Sequence, residues 1–146
     1  EEMREDMSLD AAIADRRPLA DVVAHFDTYT PQSDEDLDNN LGGLTLQGVD
    51  DNASGIGVML ELAERLKNIP TAYGLRFVAT SAEELGSLGA QNYLQRMSAE
   101  EKSNTVLVIN LDSLITGDRL YFNAGRNTPP QMARRYWQSS SPPLIA

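Results

Sequence analysis

Three apolar runs in this chain each end in residues able to bind a metal. LADVVAHFD (19–27) delivers His25 and Asp27, LRFVATSAEE (75–84) delivers Glu83 and Glu84, and NTVLVINLD (104–112) delivers Asp112. A further acidic pair, Asp50 and Asp51, lies in GVDDNASG (48–55), a turn-like stretch that opens into a helical pattern. One imidazole with several carboxylates is the donor set of a carboxylate-rich zinc site. The chemistry within reach is metal-assisted hydrolysis, in which a carboxylate beside the ligands serves as general base.

Each of these residues also has a plain structural use. A lone histidine is usually structural, yet His25 ends a buried run and Asp27 follows two residues later on the same strand face, placed to hold the imidazole tautomer. Asp50, Asp51 and Asn52 suit a turn and a helix cap as well as a metal-bridging carboxylate. Glu83 and Glu84 repel each other unless positive charge lies nearby; a helix N-terminus or a metal ion would supply it. Asp112 is a ligand or a cap.

The elements that must position these residues read as alternating strands and helices. Strands are expected at 19–26, 74–80 and 105–111, with a shorter one at 119–123. Helices are expected at 2–14, 53–68 and 85–97. In the second of these Val58, Met59, Leu62, Ala63 and Leu66 form the apolar face, Glu61 and Arg65 pair at i,i+4, and Asp51 or Asn52 caps the start. Gly86 and Gly89 weaken the start of the third, and Ser98–Glu101 has capping-box form. Residues 28–48 read as a long polar loop. Strand–helix alternation predicts a parallel sheet with right-handed crossovers. Its strands then point their carboxyl ends one way, where ligands bind in open α/β sheets. His25, Glu83, Glu84 and Asp112 gather on that edge, and Asp51 reaches it from the first crossover helix.

The 146 residues suffice for one domain with a real core. Net charge is −10, and residues 1–52 hold fourteen acidic against three basic side chains. That acidity suits divalent cations and cationic substrates and argues against nucleic acid or an anionic membrane as partner. Residues 1–15 read as a solvated acidic surface. Absence of cysteine excludes disulfides and thiolate zinc sites. No stretch reads as a transmembrane helix. The chain opens on Glu1 without a signal-peptide pattern, so a preceding piece is expected to have been removed or left out.

The motifs AHFDTY, GVDDNASGIGVMLELAERL, FVATSAEELGSLGAQNYL and INLDS, in this order and spacing, resemble the zinc aminopeptidases of peptidase family M28, and within it the bacterial isozyme-conversion branch. The similarity runs from about residue 22 to about residue 125. It implies an incomplete α/β three-layer sandwich of the zinc-exopeptidase, phosphorylase/hydrolase-like type with a mostly parallel, mixed β-sheet. It also implies two zinc ions. His25 with Asp27 behind it, Asp51 and Asp112 would hold one, and Asp51, as bridge, and Glu84 the other. Glu83 would be the general base, so Glu83 and Asp27 are the expected catalytic residues. The peptide after Asp51 would be cis. The substrates would be peptide or protein N-termini, and the location periplasmic or secreted.

The family's second-zinc histidine comes from a later segment, and no histidine follows His25. The chain therefore reads as one partial domain: an acidic helix at 1–17, a family-like core at 19–125 and an atypical tail at 126–146. Three readings follow: a truncated metallo-aminopeptidase, a metal-binding fragment without turnover, and a single-zinc glutaminyl-cyclase-like enzyme.

Overall fold

The computed structural model describes residues 17–29, 48–116, 119–121 and 123–131. The chain divides into two compact units, 1–116 and 117–146. Described in the first are strands β1 (Leu19–His25), β2 (Gly74–Thr80) and β3 (Thr105–Asn110), and helices α1 (Gly55–Leu66), α2 (Leu88–Arg96) and α3 (Ala99–Asn104). A six-residue turn, Val49–Ser54, leads into α1.

The sheet order is β2-β1-β3, and both pairings are parallel. β1 is central and buried along most of its length, as a nearly continuous apolar run requires. The connection from β1 to β2 steps one way, and that from β2 to β3 steps back across β1. Right-handed crossovers therefore put α1 and α2 on opposite faces. Val22 and Ala24 of β1 form the core with Met59 of α1, joined by Ile56, Leu62, Phe77 and Leu111. Asp21, Val23 and His25 point the other way, into a cleft of about 490 Å³ lined by Ala90, Tyr93 and Leu94 of α2. This is the expected three-layer α/β arrangement. The described strands are all parallel, and the antiparallel part expected of a mixed sheet is not among them.

Three expectations need correction. The apolar face of α1 uses Ile56, and Val58 turns outward at 38% exposure. Helix α2 starts at Leu88 and not at residue 85, because Gly86 (φ 90°) and Ser87 (φ 58°) are left-handed and interrupt the helical path. β3 is no buried strand: Val106, Val108 and Ile109 are 40–59% exposed, since α1 and α2 pack mainly on β1 and β2. It is also bulged, with Leu19 opposite Thr105 but Ala20 opposite Leu107.

Two local readings hold. The Glu61–Arg65 pair closes at 2.6 Å. Ser98 and Glu101 make both bonds of a capping box at the start of α3. A further correction concerns the second unit: the strand expected at 119–123 is not found among its described residues 119–121 and 123, and a turn closes by a bond from Thr128 N–H to Gly125 O at 2.8 Å. A short segment with no strand partner gains no ladder to hold it extended. The helix expected at 2–14, nearly all of the 28–48 loop and the tail beyond residue 131 lie outside the described residues.

Candidate metal centre

His25 is the last residue of β1 and pairs in register with Thr80, the last of β2. Phe26 N–H still donates to Thr80 O at 2.9 Å, so the two strands leave the sheet together. The imidazole is only 2% exposed. Its Nδ1 lies 3.0 Å from the backbone carbonyl of Asp27 and 3.6 Å from that residue's carboxylate. A carbonyl can only accept, so in the neutral ring the proton sits on Nδ1. Nε2 is then left facing Asp51 Oδ1 at 3.1 Å and Asp112 Oδ2 at 3.8 Å.

Asp51 reaches this position from the turn before α1. The Asp51–Asn52 peptide is cis. Asn52 is 1% exposed, and its Oδ1 accepts the N–H of Gly55 at 3.0 Å. Gly55 must be glycine: a Cβ there would stand 2.4 Å from both Asn52 Oδ1 and Leu111 O. Asp112 lies just beyond β3, in a segment whose Leu111 N–H donates to Val23 O at 2.9 Å. Ser113 follows it with φ 49°, and Ser113 Oγ donates to Asp112 Oδ1 at 2.8 Å. Oδ2 is the oxygen that faces His25.

Glu83 and Glu84 sit beyond β2, after Ala82, another left-handed residue (φ 55°). Asp27 pins them there. Its two carboxylate oxygens accept the backbone N–H groups of Glu83 at 3.2 Å and Glu84 at 3.3 Å. Thus Asp27 steadies the imidazole through its carbonyl and the glutamate pair through its carboxylate. Ser87 Oγ donates to Glu83 Oε1 at 3.1 Å. Gly89 lets α2 close on this turn, since a Cβ would meet Ser81 O at 2.2 Å.

The electrostatics separate these carboxylates. Burial acts to raise Asp27, but the N–H groups of Glu83 and Glu84 outweigh it and hold its carboxyl below the usual range. Burial, then the charges of Asp112, Glu83 and Asp50, push Asp51 up. Burial, then Asp51 and Glu83, push Glu84 up. Among the described residues, the charge of His25 opposes the rise of both Asp51 and Glu84. Glu84 Oε1 is buried without a hydrogen-bond partner among the described residues. A crowded carboxylate oxygen of that kind matches a metal ligand in chemistry and placement.

Two sets of donor atoms lie within 4.8 Å of one another: His25, Asp51 and Asp112, and His25, Glu83 and Glu84. Five of the six expected residues fall in these sets, with His25 common to both, and the sixth, Asp27, holds the Glu83–Glu84 backbone beside them. The sequence reading passed over Asp21 and Arg76, which lie on the same sheet face and form a buried ion pair (Nε–Oδ1 2.7 Å). An acid inside the run LADVVAH and an arginine inside LRFVAT were the visible signals.

The profile described as Peptidase family M28 matches residues 15–143. The chain is 72% identical over 108 residues to the alkaline phosphatase isozyme conversion protein of Escherichia coli K12, a span that takes 74% of this chain and 31% of that protein. It is 38% identical over 93 residues to an aminopeptidase of Bacillus subtilis, covering 64% of this chain and 20% of the relative. A probable lipoprotein aminopeptidase of Mycobacterium tuberculosis is 34% identical over 76 residues, covering 51% and 15%. The chain thus spans under a third of the length of these curated relatives. No solved structure matches it significantly. Among the described residues no helix is long and apolar enough to cross a membrane. With the profile matched over most of its length and the donor residues gathered at the carboxyl ends of a parallel sheet, the chain belongs to peptidase family M28.

Proposed function

We propose that this chain carries the central part of a metal-dependent aminopeptidase acting on peptide N-termini. The observation that carries the reading is the buried imidazole of His25 with its Nε2 turned to Asp51 and Asp112. His25, Asp51 and Asp112 would hold one zinc ion. Asp51 and Glu84 would contribute to a second and leave it short of a ligand. When bound, the metal supplies Lewis acidity, polarising the scissile carbonyl and making water a nucleophile near neutral pH.

The chain's own groups do the rest. Glu83 takes a proton from the attacking water and delivers it to the nitrogen of the leaving peptide. The hydroxyl of Ser87 holds one oxygen of Glu83, which orients the base. Asp27 fixes the Glu83–Glu84 backbone and, through its carbonyl, keeps the His25 proton on Nδ1. The acidic site attracts the cationic α-amine of a peptide and disfavours nucleic acid. The relatives' names include a lipoprotein aminopeptidase, and a periplasmic or secreted location is part of this proposal.

Glu83→Gln should lower turnover of aminoacyl substrates by roughly 10²–10⁴-fold with zinc affinity kept, the usual weight of a general base. Unchanged turnover would remove Glu83 from that role. One observation favours a second reading, metal binding without turnover: His25 is the sole histidine of the sequence and serves both donor sets. A zinc titration with His25→Ala as control, followed by aminopeptidase and glutaminyl-cyclase assays, separates the readings.

A further inference from the structure

The turn that carries Asp51 and the segment that carries Asp112 are tied together by hydrogen bonds of Asp50, Asn52 and Ser54. Asp50 Oδ1 accepts the backbone N–H of Ile115 at 2.9 Å and of Thr116 at 3.2 Å, and Asp50 Oδ2 accepts the Thr116 hydroxyl. Asn52 Nδ2 donates to Leu111 O at 2.9 Å, and its Oδ1 accepts Ser113 N–H at 3.3 Å. Ser54 Oγ accepts Leu114 N–H at 2.9 Å and donates to Asp50 O at 2.5 Å. Backbone groups on both sides of Asp112 are thus held, at residues 111, 113, 114, 115 and 116. Residues 50, 52 and 54 face this segment while Asp51, between them, faces His25.

The arrangement solves a definite problem. Asp51 and Asp112 come from connections separated by about sixty residues, and their side chains are 50% and 41% exposed. Packing alone does not fix half-exposed carboxylates. Hydrogen bonds between their two backbones do, because each carboxylate is then attached to the same rigid unit. The bonds are many and short-ranged in space, and Asn52 is buried, so the unit has little room to slide.

We propose that Asp50, Asn52 and Ser54 are positioning residues: they clamp the Asp51 turn to the Asp112 segment, set the distance between the two carboxylates across His25, and so set the affinity for the metal. The proposal rests on the metal-site reading above. Groups that orient metal ligands typically change affinity by about 10–100-fold when removed.

The test is a competition titration of zinc against a chromophoric chelator, on the full chain and on Asp50→Ala, Asp50→Asn, Ser54→Ala and Thr116→Val, with circular dichroism of each metal-free protein. Asp50→Ala should weaken zinc by about 10–100-fold with the metal-free spectrum kept. Asp50→Asn retains one acceptor oxygen and should recover part of the loss. Thr116→Val, which deletes one hydroxyl, and Ser54→Ala should each weaken binding several-fold. Thr116→Val keeps the test open if Asp50→Ala fails to fold. Folded variants that all bind zinc within about twofold of the parent would overturn the clamp alone. A folded parent that binds no zinc would overturn the metal-site reading and the clamp with it.

Discussion

The same face of β1 carries two polar clusters, and their charges are balanced differently. At Asp21 the counter-charge is built in. Arg76 of β2, its register partner, donates to both Asp21 oxygens at 2.7 and 3.0 Å. Tyr93 OH donates to the same carboxylate at 3.1 Å, and Arg76 reaches Thr105 Oγ1 and Glu101 as well. Burial pushes the Tyr93 hydroxyl up to about 12, with Asp21 adding to it, so it stays a donor at any ordinary pH. Four residues further along, at His25, several acids face one imidazole. The first cluster completes itself. On the metal-site reading proposed above, the second would be completed by a cation from solution. The first specifies how β1, β2 and α2 pack; the second, with a buried imidazole and half-exposed carboxylates, is the one proposed to bind.

The sharpest way to break this contrast is to remove the built-in cation. Arg76→Met leaves Asp21 buried with no ion partner and should cost roughly 3–5 kcal/mol in urea unfolding. That is a large part of the stability of a small domain. Asp21→Leu combined with Arg76→Met should regain most of it, because a buried pair replaced by apolar side chains is often neutral. At the other end the sign reverses: Glu84→Gln in the metal-free chain should be neutral or stabilising, because it relieves crowding. If Arg76→Met cost under ~1 kcal/mol, the pair would rank with surface salt bridges and the contrast would fail.

Adding the missing cation is the second test. Zinc at a hundredfold excess over its dissociation constant should stabilise the chain by about 2.7 kcal/mol through mass action. The gain should vanish in His25→Ala and persist in Glu101→Gln, whose carboxylate contacts Arg76 and not the donor set. A thermal melt with and without zinc reads this directly. Equal stabilisation of the His25→Ala protein would mean that zinc binds elsewhere.

The two clusters were not equally legible. Strand β2, the ligand-bearing strand ends and the parallel order follow from apolar runs and strand–helix alternation, which are local signals. The donor residues stood out because His25, Glu83, Glu84 and Asp112 follow such runs and Asp51 opens a helical pattern. Asp21 and Arg76 did not, because their meaning is a register: they are partners only once β1 and β2 align Asp21 with Arg76. The clamp of Asp50, Asn52 and Ser54 was hidden for the same reason, since each residue is also an ordinary turn or cap former. The late start of α2 depends on left-handed Ser87, an unusual conformation that its side chain does not announce. The exposure of β3 depends on what packs on it, which a single strand's sequence does not carry.

The smallest expected effect concerns pH, and its sign follows from which carboxylates are crowded. Asp51 lies above its usual range in the folded chain. Between the ordinary aspartate value, about 3.9, and its raised value, the folded state holds more protons here than the unfolded one. Stability contributed at this position therefore falls as pH rises through that window. Asp27 has the opposite sign: held below its usual range, it contributes above that range and is lost as pH falls through its folded value. Asp50 and Glu101 are lowered too, so the parent's total profile mixes both signs. The informative quantity is a difference. With chelator present, Asp51→Asn should gain on the parent as pH rises from about 4 to about 6, by under about 1 kcal/mol because Asp51 is half exposed to solvent. With zinc present the order should reverse, since ligation holds the carboxylate ionised and protons compete with the metal. A parent that gains on Asp51→Asn across that range without metal would show that crowding at this end is already relieved within the chain, and the contrast with Asp21 would lose its basis.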